Sequence, residues 1–304
     1  MNLAKTDLFR LVHGEADGLP GMDIDRVGPV LRVTLTGAAA MPAFARSFTI
    51  RPTSTPTWVI LENEHMRDIR EGKKLPPQAR IIRGRARYVK PGDLLDRARR
   101  MIFVIAGTVG RHRPNQFFAD QRDNRRRLVE LAQPGQTWLN LFCHTGAFSV
   151  ALANKGVHVV SNDLSKRYLD WLDENLALNG IDASLNTNVP DDARNYLSAA
   201  TQKFDGIIVD PPTAAQGDGF WSVRKGYNSL LEQCFRLLNP GGVMLVCRND
   251  KKRGEPLDDL IDEAAGAAKR KITAIDNAPP ASDYPVLEGF PEGTSFEGRL
   301  VFTK

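Results

Sequence analysis

Four short clusters carry side chains whose types and spacing could do chemistry. The first, Cys143-His144-Thr145-Gly146, breaks off an apolar run ending at Phe142 and reads as a tight turn whose backbone can approach a ligand. The full Gly-x-Gly-x-x-Gly pattern is absent, so the turn could also be a plain connection. The second is Asp163, about 20 residues further on, the separation at which an acid can accept both hydroxyls of a ribose. It could equally cap the helix behind it, a task open to Ser165 as well. The third, Asp191-Asp192 before residues 193–198, could accept from an adenine amine or serve as an acid at a helix N-terminus. The fourth is Asp210-Pro211-Pro212-Thr213. Its two prolines make a rigid backbone with few donors, suited to holding a flat base while Asp210 contacts a polar edge; proline stiffness at a turn is the plainer account.

Elements must position these clusters, and their pattern is alternating. From about Phe117 the apolar periodicity predicts helices over 123–131, 147–154, 166–179 and 227–238, and strands over 137–142, 157–162, 204–209 and 242–247. Strands alternating with helices of this length form crossover units on a mostly parallel sheet, so this half is expected to be α/β, a Rossmann-like doubly wound domain. Ligands bind such sheets at the carboxyl ends of the strands, where the four clusters fall. The first hundred residues read as a small β-rich unit: Gly18-Leu19-Pro20-Gly21 is a turn, and Val30, Leu31, Val33 and Leu35 follow a strand pattern. Pro42, Pro52, Pro56, Pro76 and Pro77 limit helices there, although 61–72 could form one. The expected domains are 1–112, for substrate or RNA, and 113–304, for catalysis.

Composition bounds the function. With 304 residues, 42% hydrophobic and 25% charged, the chain is neither disordered nor fibrous. It holds no apolar run long enough for a membrane helix, and Asp7 interrupts the start where a signal peptide would be apolar, so a cytoplasmic protein is expected. Cys143, Cys234 and Cys247 are too few for a disulfide framework and form no Cys-x-x-Cys pair, so reduced thiols and no metal are expected. The net charge of +5 is unevenly placed: ten basic residues against Asp93 and Asp96 make the stretch 80–113 strongly positive, leaving −3 for the rest. Within it Arg83, Arg85 and Arg87 alternate as a phosphate-binding row would, or as a solvated edge strand would; Arg111 and Arg113 follow, and then Arg122, Arg125, Arg126 and Arg127.

The order Gly146, Asp163, Asp192, Asp210-Pro211-Pro212 resembles the class I S-adenosylmethionine-dependent methyltransferases. Gln116-Phe117-Phe118-Ala119-Asp120-Gln121-Arg122-Asp123-Asn124-Arg125 and Asn140-Leu141-Phe142-Cys143-His144-Thr145-Gly146-Ala147-Phe148-Ser149 are similar to the bacterial 23S rRNA methyltransferases that modify cytosine C5 or guanine N7. Gly14-Glu15-Ala16-Asp17-Gly18-Leu19-Pro20-Gly21, Tyr284-Pro285-Val286 and Pro291-Glu292-Gly293 extend the resemblance over nearly the whole chain. It implies an S-adenosylmethionine-dependent enzyme acting on RNA, ribosomal RNA first, as a monomer or homodimer without a membrane and without the N-terminal PUA module of the cytosine enzymes. Phe118, Asp120, Arg122, Asn140, Cys143, Thr145, Gly146, Asp163, Leu164, Asp192, Ala193 and Asp210 would bind the cofactor. Asp210, Pro211, Pro212 and Thr213 would form the catalytic loop, and Arg83, Arg85, Arg87, Arg111 and Arg113 would bind RNA.

Asp120 and Arg122 share one side of an extended segment and could close over the methionine end, or pair with each other at a helix start. His144 is expected to pack beside the cofactor, and Phe220, Trp221 and Tyr227 could stack a flipped base or belong to the core. The cysteine nucleophile of the cytosine enzymes aligns with Asn249, and Cys247 lies two residues earlier, where it reads as a buried thiol or as that nucleophile shifted. Asn249 with Lys251, Lys252 and Arg253 favours guanine-N7 chemistry, in which alignment of donor and acceptor provides most of the catalysis. The alternatives are a cytosine-C5 enzyme using Cys247, a small-molecule methyltransferase and an inactive RNA-binding relative; the absent glycine triad argues against a nucleotide-dependent oxidoreductase.

Overall fold

The computed structural model describes residues 8–19, 22–27, 30–35, 58–63, 81–83, 95–96, 101–102, 118–217, 219–222, 226–250, 254–285 and 296–304. The chain divides into two compact units, Met1–Asp120 with Ser282–Phe290, and Gln121–Ala281 with Pro291–Lys304.

In the first unit, runs of apolar and β-branched residues form β1 (Leu8–His13), β2 (Met22–Val27), β3 (Val30–Leu35), β4 (Trp58–Asn63) and β5 (Ile81–Arg83), hydrogen-bonded in that order. β3 and β4 are parallel and the other neighbours antiparallel. The helix expected over 61–72 is corrected at its start, because Leu61–Asn63 completes β4 between two paired neighbours; the remainder lies outside the described residues. Two-residue strands β6 (Leu95–Asp96) and β7 (Met101–Ile102) pair with each other. Arg10 supplies an internal cation: its Nε donates to Asp25 Oδ1 at 2.8 Å, its Nη1 lies 3.0 Å from Asp23 Oδ1, and its guanidinium sits 4.7 Å from the Tyr284 ring centre. Asp283 accepts the Arg10 backbone N–H at 2.9 Å, which ties the returning segment to β1. Burial pushes the Tyr284 hydroxyl pKa up, and burial with the Arg10 charge holds the His13 imidazole below its ordinary value.

In the second unit a 3₁₀ turn, Ala119–Gln121, leads into α1 (Arg122–Leu131). There follow β8 (Thr137–Leu141), α2 (Ala147–Ala153), β9 (His158–Asn162), α3 (Lys166–Leu178), β10 (Asn186–Val189), α4 (Ala193–Ala199) and β11 (Phe204–Val209). The hairpin β12 (Ala214–Gly217) and β13 (Gly219–Ser222) precedes α5 (Tyr227–Leu237), β14 (Leu238–Asn249), α6 (Leu257–Ala267), β15 (Ile272–Asn277) and β16 (Phe296–Thr303). Seven strands form one sheet in the order β10-β9-β8-β11-β14-β16-β15, in which β16 runs against both neighbours. The chain winds outward from β8 to β10, returns to β11 and winds the other way, so the order reverses between β8 and β11. This is the expected doubly wound α/β sheet.

The two-residue strand period sorts the core. Leu139, Leu141, Ile207, Val209, Met244 and Val246 join one cluster with Leu197 of α4, Leu231 and Phe235 of α5 and Ile261 of α6. Each fully buried aliphatic or aromatic chain there contributes roughly 1.5–3 kcal/mol. The alternate set includes Trp138, Asn140, Ile208, Leu245 and Cys247, and Asn140 meets Ser149 of α2. β14 exceeds the expected 242–247 because β11 and β16 pair along both its edges; across the second, Arg248 faces Glu297, to which its Nε donates at 2.9 Å.

Gly206 of β11 lies opposite Trp138 of β8, and a Cβ there would stand 2.3 Å from the indole. Both residues are on the central strand pair, so neither can withdraw cheaply. Gly206→Ala is expected to lower unfolding stability by about 1–3 kcal/mol, whereas Gly254→Ala, with nothing within 4 Å of the added carbon, should change it little. Equal urea midpoints for the two variants would refute this account of the sheet centre.

Candidate functional site

The turn after β8 is held in a conformation that side chains resist. Phe142 and His144 have φ of 54° and 52°, and Gly146 has 79°; each non-glycine residue in this left-handed region costs roughly 1–2 kcal/mol. Tertiary bonds hold the turn there. Cys143 N–H donates to Asn162 O at 2.9 Å, His144 N–H to Asp163 Oδ2 at 2.9 Å, and Asn175 of α3 donates to Thr145 O at 2.8 Å. A Cβ on Gly146 would lie 2.1 Å from Leu172 Cδ1, so glycine serves both the dihedral and the close approach of α3. The His144 ring packs 4.1 Å from that of Tyr168. Backbone strain maintained by the surrounding structure collects at ligand sites, and here it sits at the switch between strands.

Asp163 follows β9 directly and uses both oxygens. Oδ2 takes the His144 N–H, and Oδ1 takes the Ser165 N–H at 2.8 Å at the start of α3. The N-cap of α3 is Ser165 and makes no side-chain cap bond, so Asp163 braces the turn ahead of the helix and does not cap it, and each of its carboxylate oxygens keeps a second lone pair. Burial raises the Asp163 pKa, and the two N–H donors act in the opposite direction. Leu164 beside it is 51% exposed and offers an apolar surface. The neighbouring Asn162 donates to Val189 O and Asp191 O, which fixes its amide; its buried Oδ1 has no hydrogen-bond partner among the described residues, an acceptor of the kind a bound donor satisfies.

Asp192 caps α4. It accepts the Arg194 N–H at 2.9 Å and is gripped by Arg194 Nε and Nη2 at 2.9 and 2.7 Å, while Ala193 is buried. The helix-cap alternative is thus what its hydrogen bonds describe. Asn140 is also buried and donates to Ser149, the first step of a chain through Ser161 to Asn186 beneath the site.

Sequence reading missed the arrangement on the other side of the switch. Gln121, 2% exposed, donates from Nε2 to Asp210 Oδ2 at 3.2 Å and to Cys247 Sγ at 3.5 Å. Its Oε1 accepts from Asn124 Nδ2 at 2.8 Å, and Asn124 also donates to the carbonyls of Ala278 and Pro279. Two amides three residues apart at a helix start were the only local signal. Pro211 is buried, Pro212 and Thr213 are exposed, and Thr213 Oγ1 donates to Asn249 O at 2.9 Å. Tyr227 belongs to the core: it is buried, and its hydroxyl donates to Cys247 O at 2.6 Å, so it does not stack a flipped base. Phe220 and Trp221 lie on β13 opposite Gln216 and Ala215.

Other predicted positions fall elsewhere. The segment expected to be extended at Asp120 and Arg122 is a 3₁₀ turn running into α1, and Arg122 Nε lies 3.8 Å from Asp123. Phe118, 51% exposed, and Asp120 belong to the first unit. Arg83 closes β5; Arg85, Arg87, Arg111, Arg113, Lys251, Lys252 and Arg253 lie outside the described residues. Among the described residues no group of three or more His, Cys, Asp or Glu could hold a metal, and no helix is long and apolar enough to cross a membrane.

Residues 11–289 match the family described as S-adenosylmethionine-dependent methyltransferase. The ribosomal RNA large subunit methyltransferase I of Erwinia tasmaniensis is 31% identical over 299 residues, covering 96% of this chain and 74% of that protein. A Streptococcus mutans structure, provisionally assigned as a SAM-dependent methyltransferase, superposes with a TM-score of 0.77 at 21% identity over 99% of this chain and 76% of its own. A second provisionally assigned methyltransferase, solved with SAH bound, gives 0.72 at 21% identity over 98% and 76%. These two likenesses show the fold.

All three cysteines are buried, and burial raises the thiol pKa values of Cys143 and Cys234. A disulfide reagent such as DTNB should therefore release little thiolate from the native protein and three equivalents after denaturation. Rapid stoichiometric reaction of the native protein would contradict this placement of the thiols.

Proposed function

The chain belongs to the S-adenosylmethionine-dependent methyltransferases, with that cofactor as its methyl source, and we propose that it methylates a base of large-subunit ribosomal RNA. The observation that carries the substrate class is the 31% identity across 96% of the chain to a protein of that named role. Bound S-adenosylmethionine supplies an electrophilic methyl group on a sulfonium.

The residues present suit that group. Asp163 would accept the ribose hydroxyls with its remaining lone pairs, Leu164 would lie against the adenine, and Asp192 and Ala193 would border its edge at the start of α4. The Cys143–Gly146 turn would face the methionine portion. Asp210 to Thr213 would position the target base, and the basic row through Arg83 would track phosphates, with the salt dependence such contacts bring.

Guanine-N7 chemistry is favoured over cytosine C5. N7 offers a lone pair to the methyl group directly, so positioning suffices. Attack on cytosine C6 needs a thiolate that reaches the base, whereas Cys247 is 0% exposed beneath Gln121, and Asn249 ends the strand. Cytosine C5 remains the second reading because Gln121 donates a hydrogen bond to that sulfur, a contact that would support a thiolate.

S-adenosylhomocysteine should raise the unfolding temperature of the protein, and Asp163→Asn should weaken its binding roughly 10- to 100-fold through loss of a charged acceptor. Because the Asp163 pKa lies above the ordinary 3.8, protonation begins at a higher pH than for a free aspartate, and wild-type affinity should start to fall with acidification above that value. No thermal shift in the wild type would remove the assignment of the crevice to this cofactor. Nucleoside mass spectrometry of ribosomal RNA treated with the enzyme should show one added methyl on guanosine, and Cys247→Ala should retain activity. An inactive Cys247→Ala that still binds S-adenosylhomocysteine, with methyl on cytidine, would establish the second reading instead.

A further inference from the structure

We infer that Gln121 is a positioning residue for methyl transfer: its side-chain amide, oriented by Asn124, aims the Asp210 carboxylate at the target base. The inference rests on the reading of Asp210 given above. An amide has a donor end and an acceptor end, and which end faces Asp210 is decided one residue further back. Asn124 Nδ2 lies against the carbonyls of Ala278 and Pro279 at 3.3 and 3.1 Å, partners that accept only, so this end of Asn124 is the nitrogen. The same nitrogen donates to Gln121 Oε1 at 2.8 Å, which turns Gln121 Nε2 towards Asp210 Oδ2.

The polarity of the chain is thus set by two backbone carbonyls and delivered to a carboxylate 89 residues away in sequence. Gln121 is 2% exposed and Asn124 4%, so solvent does not compete for these bonds. The donation orients the carboxylate through Oδ2, leaving it suited to accept from the polar edge of a base as positive charge develops there. Among the described residues, Cys247 shares the Gln121 donor, and Tyr227 lies close enough to Asp210 and Cys247 for their charges to act on its hydroxyl. The Tyr227 hydroxyl is pushed well above its ordinary pKa, chiefly by burial, and stays neutral.

The test uses the full-length enzyme, tritiated S-adenosylmethionine and an unmodified transcript of bacterial large-subunit ribosomal RNA. Gln121→Leu should lower kcat roughly 10- to 100-fold, the scale of a misaligned reacting group, while S-adenosylhomocysteine affinity and the KM for RNA move less than about twofold. Gln121→Glu should show what a merely structural residue would not. At acid pH the introduced carboxyl can donate its proton to Asp210 and restore much of the rate; as pH rises it ionises, two carboxylates face each other and kcat falls. A kcat loss that is the same at every pH overturns the inference.

Asp210→Asn separates this inference from the reading beneath it. If it is impaired and adding Gln121→Leu lowers kcat no further, Gln121 acts through Asp210; multiplying losses overturn the inference and leave the reading of Asp210 intact. Wild-type kcat in Asp210→Asn removes both. Should Gln121→Leu fail to fold, Asn124→Ala keeps Gln121 in place but frees its amide, and wild-type kcat in that variant overturns the inference.

Discussion

The two oxygens of Asp163 each hold a backbone N–H, one from His144 in the turn after β8 and one from Ser165 at the start of α3. A single carboxylate thereby ties the end of β9 to the strained turn beside it and to the helix behind it. With the Cys143–Asn162 and Asn175–Thr145 bonds, the His144 bond offsets the left-handed conformations of Phe142 and His144. The carboxylate is kept in place although burial raises its pKa. Its hydrogen bonds offset part of the desolvation, and its remaining lone pairs are what a diol can use.

The opposite side of the switch is organised on a different principle. Around Asp163 a charge accepts from the backbone; around Asp210 neutral amides pass direction inward from the carbonyls of Ala278 and Pro279. On the proposed reading, one flank would take a ribose and the other the polar edge of a base; β8 separates the two strand ends, beside the point where the strand order reverses. A doubly wound sheet opens its crevice there because the crossovers leave β8 and β11 in opposite directions.

Much of this was legible in the linear pattern. Apolar runs with a period of two or of 3.6 placed β8, β9, β11 and α1 to α3 within one or two residues, because such elements follow from local side-chain order. Strand-terminal acids were legible for the same reason. Less visible were β15 and β16, whose pairing across β14 joins distant segments, and the hairpin β12–β13 after Asp210-Pro211-Pro212-Thr213. The lid drawn from Asp120 and Arg122 assumed an extended segment; the turn into α1 begins there instead, and it buries Gln121 between the two.

The sequence by itself determined the alternating architecture and the acids at the strand ends, since each depends on neighbours within a few residues; the need for glycine at Gly146 came from the approach of Leu172 on α3. Only the tertiary structure decided what those groups do. Asp210 accepts from Gln121, Tyr227 enters the core, and Cys247 lies buried under Gln121, a contact 126 residues long in sequence. Whether a carboxylate, a phenol or a thiol meets solvent, a helix end or a buried amide is settled by strand order and register. These arise from burying many apolar side chains at once, and no local spacing encodes them.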